Sequence, residues 1–594
     1  MGYFGVPRGI YLKAYLILEP KGEQQLDNED FDYIKEICKN MTTIQDDESQ
    51  NLMADNVFET ISTKEIKFAS NCTASRAVDS LIPYTSAETF EAFTTVLASD
   101  FRILCNDKFA SFVLEKCVKV ATLRALSIKE EEDPSDDDDA ADEPEAKRKK
   151  IVKVSTDVEY NLKVAVKHSH KVYCSTFLEK VSKFLLNNLE DYLYQNFAGH
   201  IIRSCLLCLS GTVTKTTANP KAPEYVDLKA LGDRVFPESW SEIVGDYASR
   251  LMSWPQFSEL PYTEPTSVVL QTLIKSLKNI EDLKSTRKEL INAVLKNSFD
   301  DELPEGEEYA KIFQYNSSCH LLEVIIMCCT EKQTKKIYKK FFKDNLVKMS
   351  ESGSLNFSVQ KLIDSITDKE LFEEVFTALS DDYANILKVG HTGVIFSLCK
   401  ACERLGVKQG QFIQNMLKAL ECTGDKAGKC ILPIIKLVPL EVSEKEDKLR
   451  VNLHGSLILQ NIFQFNKPIK IIQSLLEMKP HDVAEIFCDI KGSRIADAFL
   501  ESKFVGEKSR EKLFKHLDGL YMQFATSKSG SHVMEKMYAL SSDTQREAIV
   551  CELSSKMAIL NGSMFGRIIN RKLCVEMYLR NRTQWKASSA CKSR

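Results

Sequence analysis

From Tyr173 onward, apolar residues recur at Phe177, Val181, Phe184, Leu185 and Leu189, the three-to-four spacing of one helical face. The same stripe returns over Phe109 to Val120, His320 to Cys329, Ile458 to Phe465 and His532 to Leu540. Alternating strand-like runs joined by Asn-Gly or Asp-Gly turns are nearly absent. The pattern predicts an all-α chain of short helices, and 594 residues of this kind give room for a long repeat array.

A repeat is present. A five-residue pattern, usually preceded by a small residue, places a small or polar side chain first and a variable one second. Two mostly apolar positions and a polar fifth follow. It reads Ser75-Arg76-Ala-Val-Asp79, Ser111-Phe112-Val-Leu-Glu115, Gly199-His200-Ile-Ile-Arg203 and Ser267-Val268-Val-Leu-Gln271. It continues as Cys319-His320-Leu-Leu-Glu323, Asn356-Phe357-Ser-Val-Gln360, Gly393-Val394-Ile-Phe-Ser397 and Ser456-Leu457-Ile-Leu-Gln460. Ser493-Arg494-Ile-Ala-Asp497, Ser531-His532-Val-Met-Glu535 and Gly566-Arg567-Ile-Ile-Asn570 complete eleven units. Their first positions lie 36, 88, 68, 52, 37, 37, 63, 37, 38 and 35 residues apart, so most intervals match one small multi-helix repeat. The long intervals hold an acidic run, a loop with Pro220, Pro223 and Pro237, and the polar stretch Ser443 to Lys448. Cys174-Ser175-Thr176-Phe-Leu-Glu179 lies too close to Gly199 for a unit of its own and reads as the preceding helix of that repeat.

The first and fifth positions sit one helical turn apart and project from one face, while the third and fourth turn toward the core. A polar pair beside a flat or cationic side chain, repeated every ~36 residues, suits single-stranded RNA read one base per repeat. The pair can hydrogen-bond a base edge, and a Phe, His or Arg can stack between bases. A lone Ser-x-x-x-Glu on a helix is ordinarily just a solvated face; the restored phase is what carries the signal.

The units Ser111/Phe112/Glu115, Asn356/Phe357/Gln360, Ser456/Gln460 and Ser531/His532/Glu535 resemble Pumilio repeats. The resemblance implies guanine at Ser111 and Ser531, uracil at Asn356, adenine at Ser267 and Ser456, and a guanine-like Cys319/Glu323 unit. It also implies RNA running antiparallel, its 3′ end toward the N-terminal repeats. Eleven units, long insertions and off-code pairs (Ser75/Asp79, Gly199/Arg203, Gly393/Ser397, Ser493/Asp497, Gly566/Asn570) are similar to the nucleolar branch, the nucleolar protein nine family. Phe197-Ala-Gly-His-Ile-Ile-Arg-Ser, His391-Thr-Gly-Val-Ile-Phe, Ala525-Thr-Ser-Lys-Ser-Gly-Ser-His and the closing Trp585 carry the same likeness. By resemblance, the fold is a right-handed superhelical α-solenoid of about eleven repeats, C- or U-shaped, with RNA on its concave face. The implied role is nucleolar: binding precursor small-subunit rRNA and assisting 18S maturation by controlling access to a cleavage site, without cutting.

The expected RNA contacts follow. Phe112, His200, His320, Phe357 and His532 stack; Arg76, Arg203, Arg494 and Arg567 meet phosphates or bases; the polar pairs named above, with Asn570, read bases or contact backbone. Partners are single-stranded and structured pre-rRNA and pre-ribosomal proteins, with a monomeric chain and no cofactor.

Charge changes the picture little. Residues 130 to 150 carry eleven acidic side chains against Lys147, Arg148, Lys149 and Lys150, so the rest of a chain at −5 is close to neutral, at +2. The acidic run reads as a solvated, disordered insertion, and the basic cluster as a nuclear localisation signal or simple charge balance. Expected boundaries are an extension over 1–30, repeats over 31–127 and 169–585, the insertion over 128–168, and a basic tail over 586–594. The family's basic N-terminal extension is reduced to almost nothing, consistent with a truncated gene model. There is no signal-peptide pattern, so the eighteen cysteines are expected reduced and Asn71-Cys-Thr a chance match.

Two Cys-x-x-C pairs, Cys205/Cys208 and Cys399/Cys402, lie inside helical stripes and suit core packing better than zinc. His168 and His170 have no ligand pattern around them. Phosphate-loop, zincin, nucleophile-elbow and dinucleotide motifs are absent. The competing readings are a protein-binding HEAT or armadillo scaffold, which has no reason to repeat the polar pair in phase, and a cytoplasmic Pumilio regulator of mRNA, which would carry eight close repeats with strong codes.

Overall fold

A computed structural model describes residues 26–41, 44, 46–128, 156–215, 224–232, 234–299, 309–445 and 449–588. The chain divides into two compact units, Met1–Cys329 and Thr330–Arg594. Both are stacks of short helices. All eleven motifs fall at or just inside the start of a helix, numbered here in chain order. The first unit holds α1 (Ala74–Leu81), α2 (Ala110–Ala125), α3 (Asn196–Leu209), α4 (Glu264–Asn279) and α5 (Asn316–Cys328). The second holds α6 (Asn356–Ser365), α7 (Thr392–Leu405), α8 (Leu453–Ile462), α9 (Ser493–Glu501), α10 (Lys528–Leu540) and α11 (Met564–Leu573).

Within each unit every motif helix packs on the next, α1 on α2 through to α5, and α6 on α7 through to α11. The third and fourth motif positions supply much of that contact: Val113, Leu114, Ile201, Ile202, Ile458, Leu459, Val533 and Met534 are all buried. Each such side chain contributes roughly 1.5–3 kcal/mol by leaving water. In the first unit the helices His168–Asn187 and Glu238–Met252 form a second layer against α2 and α3. Tyr247 donates its hydroxyl to the Ser182 carbonyl, and Trp240 Nε1 donates to Ser175 Oγ at 3.0 Å.

The helices start where side-chain caps allow. Asn71, Asp107, Ser352, Asn452, Asp489, Ser527 and Ser563 each accept a hydrogen bond from the backbone N–H three residues on. The preceding small residue has its reason too. A Cβ on Gly492 would lie 2.0 Å from the Ile486 carbonyl oxygen, and one on Gly530 2.9 Å from that of Phe524. Where α4 and α5 make the same approach, a hydroxyl uses it: Thr266 donates to Leu260 and Ser318 to Ile312.

Three expectations are corrected. The insertion is not disordered to residue 168: Thr156 and Glu159 form a capping box that opens the helix Asp157–Lys163. That helix is pinned to the repeats, Tyr160 donating to Asn51 and Arg124 to Asn161. Second, the Pro-rich loop between α3 and α4 carries an antiparallel hairpin of β1 (Thr212–Thr214) and β2 (Tyr225–Asp227). Third, the boundaries at 30/31 and 585/586 cut through helices, Asn28–Asn40 and Arg582–Ala587. Among the described residues, no helix is long and apolar enough to cross a membrane. The acidic run and Lys147, Arg148, Lys149 and Lys150 lie outside the described residues.

Candidate nucleic-acid interface

The first motif residue is held in rather than out. Ser75, Ser111, Ser267, Asn356, Ser456, Ser493 and Ser531 are all buried. The second residue stands out: Phe112 is 53% exposed, Phe357 56%, and Arg76, His320, Arg494 and His532 are exposed as well. Exposed rings at this one repeated position offer flat faces on which a planar ligand could stack.

The fifth position sorts by chemistry. Where it is Gln, its amide donates back to the first residue of the same helix. Gln271 Nε2 reaches Ser267 Oγ at 3.2 Å, Gln360 Nε2 reaches Asn356 Oδ1 at 2.9 Å, and Gln460 Nε2 reaches Ser456 Oγ at 2.9 Å. The first residue is anchored in turn, Ser267 to the Ser317 carbonyl, Ser456 to that of Lys491, and Asn356 to those of Ser352 and Gly353. These bonds fix the rotamers of the polar pair before any ligand arrives. Where the fifth position is acidic, it meets a cation. Asp79 lies 3.6 Å from Lys116, Asp497 2.8 Å from Lys536, and Glu535 2.7 Å from Lys572. Glu323 has His320 at 3.6 Å on its own helix. Burial pushes the Asp79 carboxyl upward in spite of Lys116.

Three units depart from the simple picture. His200 is largely covered, its ring stacked on Phe112 with centroids 4.5 Å apart and planes at 16°. Arg203 folds back, Nε donating to the Gly199 carbonyl at 3.3 Å, and burial lowers its pKa. Val394 is fully buried, so α7 presents no stacking side chain at its second position. A Cβ on Gly393 would lie 2.5 Å from Gln360 Oε1, because the fifth residue of α6 packs over the glycine. Cys319 donates its thiol to the Ile312 carbonyl, and burial pushes that thiol up to about 12, so it stays neutral.

The last unit is out of phase by one residue. In the six other capped motif helices the capped N–H precedes the first motif position; in α11 it belongs to Gly566. A Cβ on Gly566 would meet the Leu560 carbonyl oxygen at 2.0 Å, as at Gly492, again the residue before the motif. Lys572 pairs with Glu535 as Lys536 pairs with Asp497, which makes Lys572 a sixth-position residue. The motif of α11 therefore runs from Arg567 to Arg571. Asn570 is its buried fourth residue, bonded to Asn561 and Glu576, and does not belong to the face. The sequence carried the signal in Ser563, four residues ahead of Arg567 as Ser527 is ahead of Ser531.

The cysteines Cys205, Cys208, Cys399 and Cys402 are buried among the helices, with thiol pKa values raised by burial. Among the described residues no group of three His, Cys, Asp or Glu could hold a metal ion.

Fold and motif geometry together define a helical-repeat protein of Pumilio type. A domain described as the NOP9-like PUF repeat domain matches residues 63–568, and the chain belongs to that family. Human Nucleolar protein 9 is 22% identical over 568 residues, 91% of this chain and 84% of that protein. The mouse protein of that name is 28% identical over 302 residues, 47% of this chain and 48% of its own length. Pumilio homolog 23 of Arabidopsis thaliana is 26% identical over 451 residues, 70% of this chain and 58% of that protein. Among solved structures, APUM23 with GGAGUUGACGG superposes with a TM-score of 0.69 at 22% identity, covering 96% of this chain and all of that one.

Proposed function

We propose that this protein is a non-catalytic RNA-binding factor of small-subunit ribosome biogenesis, acting in the nucleolus. It captures precursor rRNA on the motif face and assists 18S maturation by covering RNA near a cleavage site. The observation that carries the reading is the recurrence, on α1, α2, α5, α6, α9 and α10, of an exposed ring or guanidinium at the second position, beside a polar pair whose fifth residue is hydrogen-bonded or ion-paired. That arrangement offers stacking and edge recognition together, the two terms that single-stranded RNA readers use. The names of the human and mouse relatives and the oligonucleotide held by APUM23 point the same way. The exposed bases of RNA stack on Phe357, His320 and His532; Arg76, Arg494, Arg567 and Arg571 meet phosphates. Partner proteins of the pre-ribosomal particle and a monomeric chain complete the proposal.

Fluorescence anisotropy at fixed salt tests it, with a labelled precursor fragment spanning the 3′ end of 18S RNA and a scrambled strand of equal length. The precursor should bind more tightly. Phe357→Ala and Gln360→Ala should each weaken it by ~1 kcal/mol or more, and Gln360→Ala should also relax base choice at one nucleotide. Equal binding of both strands that vanishes with moderate salt would leave only nonspecific charge attraction and sink the reading.

A further inference from the structure

Phe112 and His200 are the second-position side chains of α2 and α3, which pack on each other. Among the described residues they are the second-position rings that stack on one another. A base inserted between two such rings needs roughly double the 4.5 Å that separates them. Beneath the stack, His200 Nδ1 lies 3.2 Å from Glu115 Oε2, while Ser204 Oγ and Lys119 Nζ approach Glu115 Oε1 at 2.5 and 2.7 Å. The His200 side chain is only 12% exposed. A guanine in this unit would lay a flat ring on Phe112 and present N–H donors to Glu115. His200 supplies the ring from within the chain, and its Nδ1 fills the space beside Glu115 Oε2 without forming a hydrogen bond.

We propose that His200 is a resident stand-in for a nucleobase, a specificity-determining residue that keeps the Ser111/Glu115 unit closed to the guanine its side chains are suited to read. The proposal rests on the RNA-binding reading above. It makes this unit silent despite its favourable code: both Glu115 oxygens have partners, and the upper ring face that would receive a base is already covered. Phe357 in α6 shows the open alternative, an exposed ring whose neighbour in α7 offers no second ring.

The test is an anisotropy scan of the full chain with the precursor fragment, replacing each nucleotide in turn by an abasic site and then by each other base. Wild type should show no dependence on base identity at the nucleotide facing Ser111 and Glu115, toward the RNA 3′ end. His200→Ala should create one new dependent position there, preferring guanine by about fivefold, a modest share of what base stacking supplies. His200→Ala combined with Glu115→Gln should lose that preference, and thermal melting of both variants checks that they fold. Wild type already discriminating at that nucleotide would overturn the proposal, as would a folded His200→Ala protein that gains no new position. Loss of every base dependence in wild type, with Phe357→Ala binding unchanged, would instead bring down the RNA-binding reading itself.

Discussion

The unit ending at Cys329 and the unit beginning at Thr330 use the same repeat but secure it differently. In the first, two long intervals between motifs are filled by inserted structure, and polar side chains anchor the insertions. Arg124 of α2 is 1% exposed, donates to the carbonyl of Thr85 at 2.6 Å and to Asn161 at 2.8 Å, and lies over the Phe90 ring. It thereby joins α2, the turn after α1 and the helix that follows the insertion. In the second unit, most motif spacings stay at 37 or 38 residues, and glycines let helices touch backbone to backbone at Gly455, Gly492, Gly530 and Gly566. Close approach at glycine brings neighbouring helices together in the second unit, whereas in the first Arg124 ties an insertion to the repeats.

Arg124 is where that contrast breaks hardest. Arg124→Met keeps much of the volume but leaves the Thr85 and Asn161 acceptors buried without a donor, at 1–3 kcal/mol for each unsatisfied group. A loss of about 4 kcal/mol is expected in chemical denaturation. A loss under about 1 kcal/mol would show that the insertion holds by apolar packing alone.

Glycines sharpen the contrast one step down. Gly492→Ala drives a methyl against the Ile486 carbonyl and should cost about 2 kcal/mol, since backbone cannot swing aside as a side chain does. Gly199→Ala in the first unit meets nothing within 4 Å and should be neutral or stabilise by up to about 1 kcal/mol through helix propensity. Equal melting shifts for the two variants would refute the division between the units.

Much of this was legible in the chain itself. Eleven motifs gave eleven helices because phase, once restored many times, overrides the weak evidence of any single unit. The all-α class followed from the same stripes. What escaped was whatever depended on a second element. Nothing in Gly199-His200-Ile-Ile-Arg203 says that the ring will lie on Phe112, 88 residues earlier, because no spacing rule survives an insertion of that size. The frame at Gly566 was hidden for a different reason: residue type alone places a small residue first, whereas the Ser563 cap and the Leu560 carbonyl set the frame one residue later. The helix Asp157–Lys163 was hidden by the charge run before it, although Thr156 and Glu159 spell a capping box.

The smallest effect concerns acid. Burial alone would raise the Glu115 pKa, but the neighbouring His200 and Lys119 outweigh it and hold the carboxyl well below the usual Glu range. A folded pKa below the unfolded one means that the unfolded chain takes up the proton first. The stabilisation is therefore complete above the ordinary value of ~4.3 and is lost as pH falls through the folded pKa. Between pH 4.5 and 3.5, wild type should lose about 1 kcal/mol more than Glu115→Gln, which has no carboxyl to titrate. Denaturation midpoints of the two proteins across that interval give the difference directly. The fifth-position amides Gln360 and Gln460 of the second unit have no such proton to gain, so Gln360→Ala should leave the acid slope of wild type unchanged. Parallel pH profiles for wild type and Glu115→Gln would mean that the Phe112–His200 stack closes by ring contact alone, with the Glu115 ion pair contributing nothing to holding it shut.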